Sequence, residues 1–415
     1  MASSIMGHHR TMRHGCMYRD VIGSTADVRR IAPPRAAPAC AELPSCPSRK
    51  AILMPILQPN SGERLGDHYV AANVKSLTWG RLPTPDRDPI LTIASGETVT
   101  VDTISHEGLM EDQGRDPLTY FASHGVAAGD VLEDLVELAA SDVVHTRGPD
   151  GPHVVTGPIR VDGAKPGDIL KIEYLDLTPR VPYGVVSSRH GLGCLAGERP
   201  VDDETGEAVR IISQFCTADV DNHTATMAWG ENRRITFPLS PFMGLSGLTA
   251  DTDAALNTIP PGAHGGNLDV RDLGQGSTMY LPVQVEGAGY YMGDPHFAQG
   301  NGEVSLTALE ASLRTTVRLT VLSAAQSFPS TGTIEGPFGE SDTHWIAMGL
   351  DRDLNEAMKS CVREAIRILS EVAFVPESIA YLYLSAAGDF VVSQVVDDVK
   401  GVHCLIRKAD FPAWF

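Results

Sequence analysis

The sequence predicts a mainly β protein with an α+β portion. Three observations carry this. Forty glycines and 28 prolines make up about one residue in six of the 415, against ~12% in average usage, which favours many turns. Short β-rich runs recur along the chain. Only one stretch has a long helical period, Asp351–Val372. Hydrophobic residues, 42% of the chain, supply a sizeable core and exclude disorder for most of it. Length alone suggests two or three domains.

Ile90–Thr103 holds two β-rich runs around a Ser-Gly-Glu turn, a hairpin signal. Ala127–Ser141 reads as a short helix with Asp130 near its start. In Thr156–Leu177 a Pro/Gly turn precedes a half-buried strand, where Leu170, Ile172 and Tyr174 alternate with Lys171 and Glu173. Arg210–Ile212, Thr224–Trp229, Ile235–Leu239, Met279–Val285 and Thr315–Leu322 read as further strands. In the long helix Leu354, Met358, Val362, Ala365, Ile366, Leu369 and Val372 form one stripe. Asp351 or Asp353 caps it. Ile379–Leu384 and Phe390–Val396 read as strand, turn, strand around Gly388-Asp389. The total expected is eight to twelve strands and two or three helices.

The net charge of −19 is uneven. The first 50 residues hold eight basic and three acidic side chains and three of the seven cysteines. Residues 1–53 therefore read as a basic leader outside the fold, either disordered or preceding a true start at Met54; an Arg-rich, acid-poor targeting peptide is the alternative. Residues 54–415 are expected to form the catalytic region. The acidic body speaks against nucleic acid as a partner. No run of 18 uncharged apolar residues appears, so no membrane helix is expected. Scattered cysteines without a CxxC pair fit reduced thiols in the cytoplasm. A dimer is expected from exposed strand edges.

Functional residue types are densest in Pro260–Glu310. HGGNLD brings His264, Asn267 and Asp269 beside Gly265 and Gly266. GDPHFAQGNGE brings Asp294, His296, Gln299 and Glu303 within ten residues. Hard oxygen donors with imidazoles suit a divalent metal that keeps a position open for water. Such clusters also make plain Asx turns, but two of them joined by the strand-like MYLPVQV would converge at neighbouring strand ends. Asp102–Glu107 adds His106 and Glu107 at the end of a strand. His153 and His344 read as structural. Tyr291, with Tyr290 and Phe242, is a candidate pocket wall, a core role being the alternative. The P-loop, HExxH and GxSxG patterns are absent, since GLSGL ends in Leu248. Cys194, in a Gly-rich turn, is a weaker nucleophile candidate.

TGPIRVDGAKPGD, PFMGLSG, the whole 260–310 stretch and the ending LYLSAAGDFVVSQVVDDVKGVHCLIRK together resemble the acetamidase/formamidase family over about residues 66–412. The resemblance implies hydrolysis of a short linear amide to carboxylate and ammonia. It also implies a jelly-roll-like sandwich with a small β-barrel and a C-terminal α/β segment, and a divalent metal, zinc or calcium. On the matching motifs, side-chain chemistry suggests Asp269, Asp294 and His296 as metal ligands, and His106, at a position where the family is expected to vary, is added to them. Glu303, Asn267, Gln299 and Glu107 are the catalytic candidates. Gly265, Gly266 and Tyr291 are the substrate-binding candidates, with the two glycine amides facing an oxyanion. A small-ligand binding homologue without catalysis, or a metal hydrolase of another non-peptide C–N bond, are the alternatives.

Overall fold

The two runs read as a hairpin at Ile90–Thr103 separate in space. In the computed structural model, which describes residues 54–146, 148–230, 232–323 and 334–411, Leu91–Ile93 pairs in parallel with Val154–Val161. Thr98–Asp102 instead pairs with His68–Val70 and Leu313–Leu322. The two strands thus enter different sheets. The leader expectation for residues 1–53 lies outside the described residues.

The protein is mainly β, as expected, with more strands than the sequence suggested. One sheet has nine strands. Its order is His68–Val70, Thr98–Asp102, Leu313–Leu322, Ile169–Pro179, Thr278–Pro282, Phe338–Glu340, His344–Asp351, Lys400–Arg407, Asp389–Gln394. The other has eleven. At its centre Tyr290–Ala298 pairs with Phe242–Leu248, Leu309–Glu310 and Val154–Val161. Many strands are only three residues long, too short for a visible period in sequence. The inward faces of both sheets share one apolar core, with Val99, Leu170 and Ile172 from one and Val154, Ile159 and Met292 from the other. Ile169–Pro179 alternates as predicted: Leu170, Ile172 and Tyr174 are buried and Lys171 and Glu173 are half-buried.

Among the described residues are four α-helices, Pro117–Ser123, Glu133–Ala140, Leu354–Val372 and Glu377–Ala387. Asp353 caps the long one, its carboxylate accepting from the Asn355 and Glu356 amides. The buried stripe is Ala357, Cys361, Ala365, Ile368 and Leu369, rotated from the one predicted, and Met358 is 38% exposed. The cause is close approach. A Cβ on Gly349 would lie 2.2 Å from the Cys361 nitrogen, so the helix rests on strand His344–Asp351 through its small side chains. Ile379–Leu384, expected as a strand, lies in a helix. Ala380 and Leu384, four apart, are its buried residues and join the core beneath the long helix. β-branched and aromatic residues on its outer face had mimicked a strand.

The start of one site-bearing loop is fixed by a buried ion network. Asp102 accepts from Arg314 Nε at 2.7 Å and Nη2 at 3.0 Å, and from the Tyr69 hydroxyl at 2.6 Å. Arg180, fully buried, lies 3.7 Å from Asp102 and 2.7 Å from Asp134. Removing one partner of such a group leaves an uncompensated buried charge. Asp102→Ala should therefore lower unfolding free energy by about 3–5 kcal/mol, measured by urea denaturation; a loss below about 1 kcal/mol would show the network to be dispensable.

Candidate active site

Where the two sheets meet, six carboxylates and three imidazoles converge. Asp294 and His296 sit two apart on Tyr290–Ala298 and so point to one face. Glu310 stands directly opposite His296 in the ladder. His153 immediately precedes Val154–Val161, and Asn267 ends the short strand Gly265–Asn267, with Asp269 just beyond. His106 and Glu107 follow Thr98–Asp102. Asp397 comes from the loop between Asp389–Gln394 and Lys400–Arg407. None of these side chains, nor Gln299 or Glu303, belongs to a residue more than 7% exposed.

Asp294 is the hub. Its carboxylate lies 3.0 Å from His296 Nε2, 3.6 Å from His106 Nδ1 and 3.7 Å from His153 Nε2. Glu310 bridges the first two, at 3.1 Å from His296 Nε2 and 4.0 Å from His106 Nδ1. Three sets of donor atoms each fit within 4.8 Å: His106, His153 and Asp294; Asp294, His296 and Glu310; Asp269, His296 and Glu303.

Partners behind the imidazoles set which nitrogen faces inward. The Gln299 amide NH2 donates to the backbone oxygens of Asp269 and Ser393 at 2.9 and 3.2 Å. Its carbonyl is thus left to accept from His296 Nδ1 at 3.1 Å, so that nitrogen carries a proton and Nε2 is the one that faces Asp294 and Glu310. Glu107 lies 3.5 Å behind His106 Nε2 and is itself held by Ser187, Gln113 and Arg189. Such outer partners orient metal-binding histidines. On the inward side, His106 Nδ1, His296 Nε2, Asp294 Oδ1, Glu310 Oε2 and both Asp269 oxygens are buried without a hydrogen-bond partner.

Burial pushes Asp269, Glu303 and Asp397 well above the ordinary carboxylate range, and each is raised further by a neighbouring carboxylate. Burial and the Asp294 charge lift Glu310 to about 7. Asp294 goes the other way: burial opposes its charge, but His153, His296 and His106 hold it well below 3.8. Burial works against charge on His106, yet Asp294 and Glu107 lift it to about 10. Burial takes His153 down to about 4.

Backbone strain accompanies this crowding. Asp269, Asp294 and Glu303 have φ of 50°, 50° and 46°, in the left-handed region that non-glycine residues seldom occupy. Gly244 makes room for them. A Cβ there would lie 2.5 Å from Asp269 Oδ1, 2.6 Å from His296 Cε1 and 2.8 Å from Asp294 Oδ2. The Gly244 carbonyl also accepts from the Leu268 and Asp269 amides.

The structure thus brings together His106, Glu107, Asn267, Asp269, Asp294, His296, Gln299 and Glu303. It does not bring Tyr291 to the cavity; that ring packs with Leu82, Val155 and Leu245. Phe242 meets the His296 ring edge-on at 5.0 Å. The Gly265 amide is already bonded to the Gly262 carbonyl, so it does not face an oxyanion. His264 is buried beside Gly262 and Gly266. Sequence reasoning set His153 aside and passed over Glu310 and Asp397. Only the His296–Glu310 register signals Glu310, and that register is not visible without the fold.

The cluster opens on a cavity of about 270 Å³, whose lining includes His106, His153, Asn267, Asp294, Glu303, Glu310 and Asp397. A larger, open groove of about 700 Å³ lies on the far side of segment 303–307 and shares only Glu303 and Thr307 with it.

Residues 242–406 match the sequence model of the acetamidase/formamidase family. This part of the chain, about two fifths of its length, resembles that family. The chain is 29% identical to an acetamidase of Mycolicibacterium smegmatis, in a match covering 37% of this chain and 49% of that protein. It is 28% identical to a formamidase of Methylophilus methylotrophus, covering 37% and 47%. The chain therefore spans about half the length of the curated relatives it matches. Among solved structures, the acetamidase of Yersinia enterocolitica is similar with a TM-score of 0.64 and 24% identity, over 86% of this chain and 96% of that one. The acetamidase of Bacillus halodurans gives 0.61 and 24%, over 82% and 98%. These two likenesses speak to the fold alone. Among the described residues no helix is long and apolar enough to cross a membrane.

Two outcomes are expected. Gly244→Ala should cut divalent-cation affinity at least tenfold by isothermal titration, because its Cβ would overlap three site side chains; unchanged affinity would remove Gly244 from the site. The second concerns pH. Folded Glu310 keeps its proton up to about 7, whereas an unfolded glutamate loses it near 4.5. Glu310 holds its proton in the folded state over that window, as do the raised Asp269, Glu303 and Asp397; these outnumber His153, which acts the other way because its folded value is about 4, so stability falls as pH rises from about 4.5 to 7. His106, lifted to about 10, extends the fall above 6.5. In chelator, the thermal midpoint should drop over this range, and Glu310→Gln should flatten the drop. A wild-type midpoint that rises from pH 5 to 7 would contradict this.

Proposed function

We propose that the chain hydrolyses the C–N bond of small linear amides to carboxylate and ammonia, with a divalent cation at Asp294. One observation carries the reading: Asp294, His296 and Glu310 offer donor atoms within 4.8 Å of one another, His106 Nδ1 lies 3.6 Å from Asp294, and buried donor atoms of all four are without hydrogen-bond partners. Buried polar groups otherwise find partners, so this donor set fits a cation. His106, Asp294, His296 and Glu310 would hold it, with Asp269 and His153 beside them. Imidazole nitrogens favour zinc over calcium, which takes oxygen ligands. Such a cation supplies Lewis acidity to an amide carbonyl and to water.

The chain's own residues do the rest. Gln299 and Glu107 orient the two imidazoles. Asn267 Oδ1, buried and without a donor, accepts an N–H of the substrate amide. Glu303, raised by burial and by Asp269, borders the cavity and is suited to move a proton from attacking water to the departing nitrogen. The reading stands on the family match and on this geometry together.

Asp294→Ala and His296→Ala should each lower ammonia release from formamide and acetamide by about 100-fold or more, with bound metal falling in parallel by elemental analysis. Chelation of the unsubstituted protein should do the same, and added zinc should restore activity. Full activity with full metal content in both variants would refute the assignment. Tight amide binding without turnover would favour a binding protein.

A further inference from the structure

The 270 Å³ cavity has two unlike ends. Its floor is the buried polar cluster. Its wall is Met110, Pro152, Leu192, Ile259, Leu306 and Val396, of which all but Met110 are half-buried or exposed and so line the way to solvent. The volume equals about nine waters at ~30 Å³ each, and acetamide, with four heavy atoms, fills roughly a third of it.

Charged and aromatic groups on the same wall are already engaged. Arg189 is held by Asp112 at 2.8 and 3.2 Å. Asp150 is held by Arg81 at 2.7 Å. His145 Nε2 bonds the Gly151 oxygen at 2.9 Å, and its ring stacks on Trp79. No ionic group is offered to a charged substituent. The free acceptor, Asn267 Oδ1, is on the floor, so an unsubstituted amide nitrogen belongs there and the acyl group extends along the apolar wall.

We propose that the site takes primary amides with an unbranched apolar acyl chain of roughly four to six carbons. This rests on the amidase reading and specifies its substrate class. Each methylene that enters the wall leaves water, so kcat/KM should rise about fourfold per added carbon from acetamide to pentanamide. Leu192, 50% exposed, can be truncated without disturbing the core. Leu192→Ala, and Ile259→Trp as a filling change, should each lower the pentanamide-to-acetamide ratio of kcat/KM at least fivefold.

The test is steady-state ammonia release by the full chain, loaded with zinc, from formamide, acetamide, butanamide, pentanamide and hexanamide. A kcat/KM that falls with chain length overturns the acyl assignment, as does an unchanged ratio in Leu192→Ala. Release from none of the five refutes the amidase reading itself, which distinguishes the two failures.

Discussion

Asp294 lies buried against three imidazoles at the floor of the cavity, and the surrounding architecture follows from that contact. A carboxylate without water is costly unless paired. Here the pairing comes from His106, His153 and His296, which arrive from three separate segments. Five further carboxylates stand nearby, more negative charge than three imidazoles and Arg189 offset. Protons or a cation must make up the difference. Burial, and after it the neighbouring carboxylates, shift Asp269, Glu303, Glu310 and Asp397 towards the protonated form, while the imidazoles keep Asp294 from following.

Holding these groups together requires backbone that most residues avoid. Positive φ at Asp269, Asp294 and Glu303 costs on the order of 1–3 kcal/mol each. It persists because the ladder around it is over-determined. Gly244 binds two amides through one carbonyl, and Gln299 ties the loop after Asp269 to Ser393 on the other sheet. The site is therefore a product of both sheets at once.

Much of this was legible in sequence, for identifiable reasons. The two clusters in Pro260–Glu310 announced themselves because glycines, carboxylates and imidazoles crowd together in sequence, although Asp294 and His296 lie within a strand and not at the strand end expected. The helix at Leu354–Val372 was visible because 19 residues suffice for a 3.6-residue period. Strand Leu170–Tyr174 was visible because one face is half-solvated. What stayed hidden depends on partners distant in sequence. Glu310 matters through its register with His296, Asp397 through a loop from the other sheet, and His153 through a contact 141 residues away. The Ile379–Leu384 helix failed as a strand because its outer face is apolar, with Tyr381 60% and Leu382 66% exposed, which erased the amphipathic signal.

Glu107 shows how stability and chemistry join in one loop. Asp102, at its start, is fixed by Arg314, Tyr69 and Arg180. Five residues later Glu107 is gripped by Ser187, Gln113 and Arg189; burial opposes its charge, but His106 first, then Arg189 and Ser187, keep it below its ordinary range. An ionised carboxylate behind His106 Nε2 holds a proton on that nitrogen and aims Nδ1 at Asp294. His296 receives the same orientation from Gln299, a neutral amide. The two inward nitrogens are thus alike in direction but not in backing, with an ionised carboxylate 3.5 Å behind His106 and, behind His296, a neutral amide at 3.1 Å with Asp269 farther off at 3.8 Å. Exchanging the two backing residues would therefore alter the cluster's proton affinity even if every imidazole kept its place.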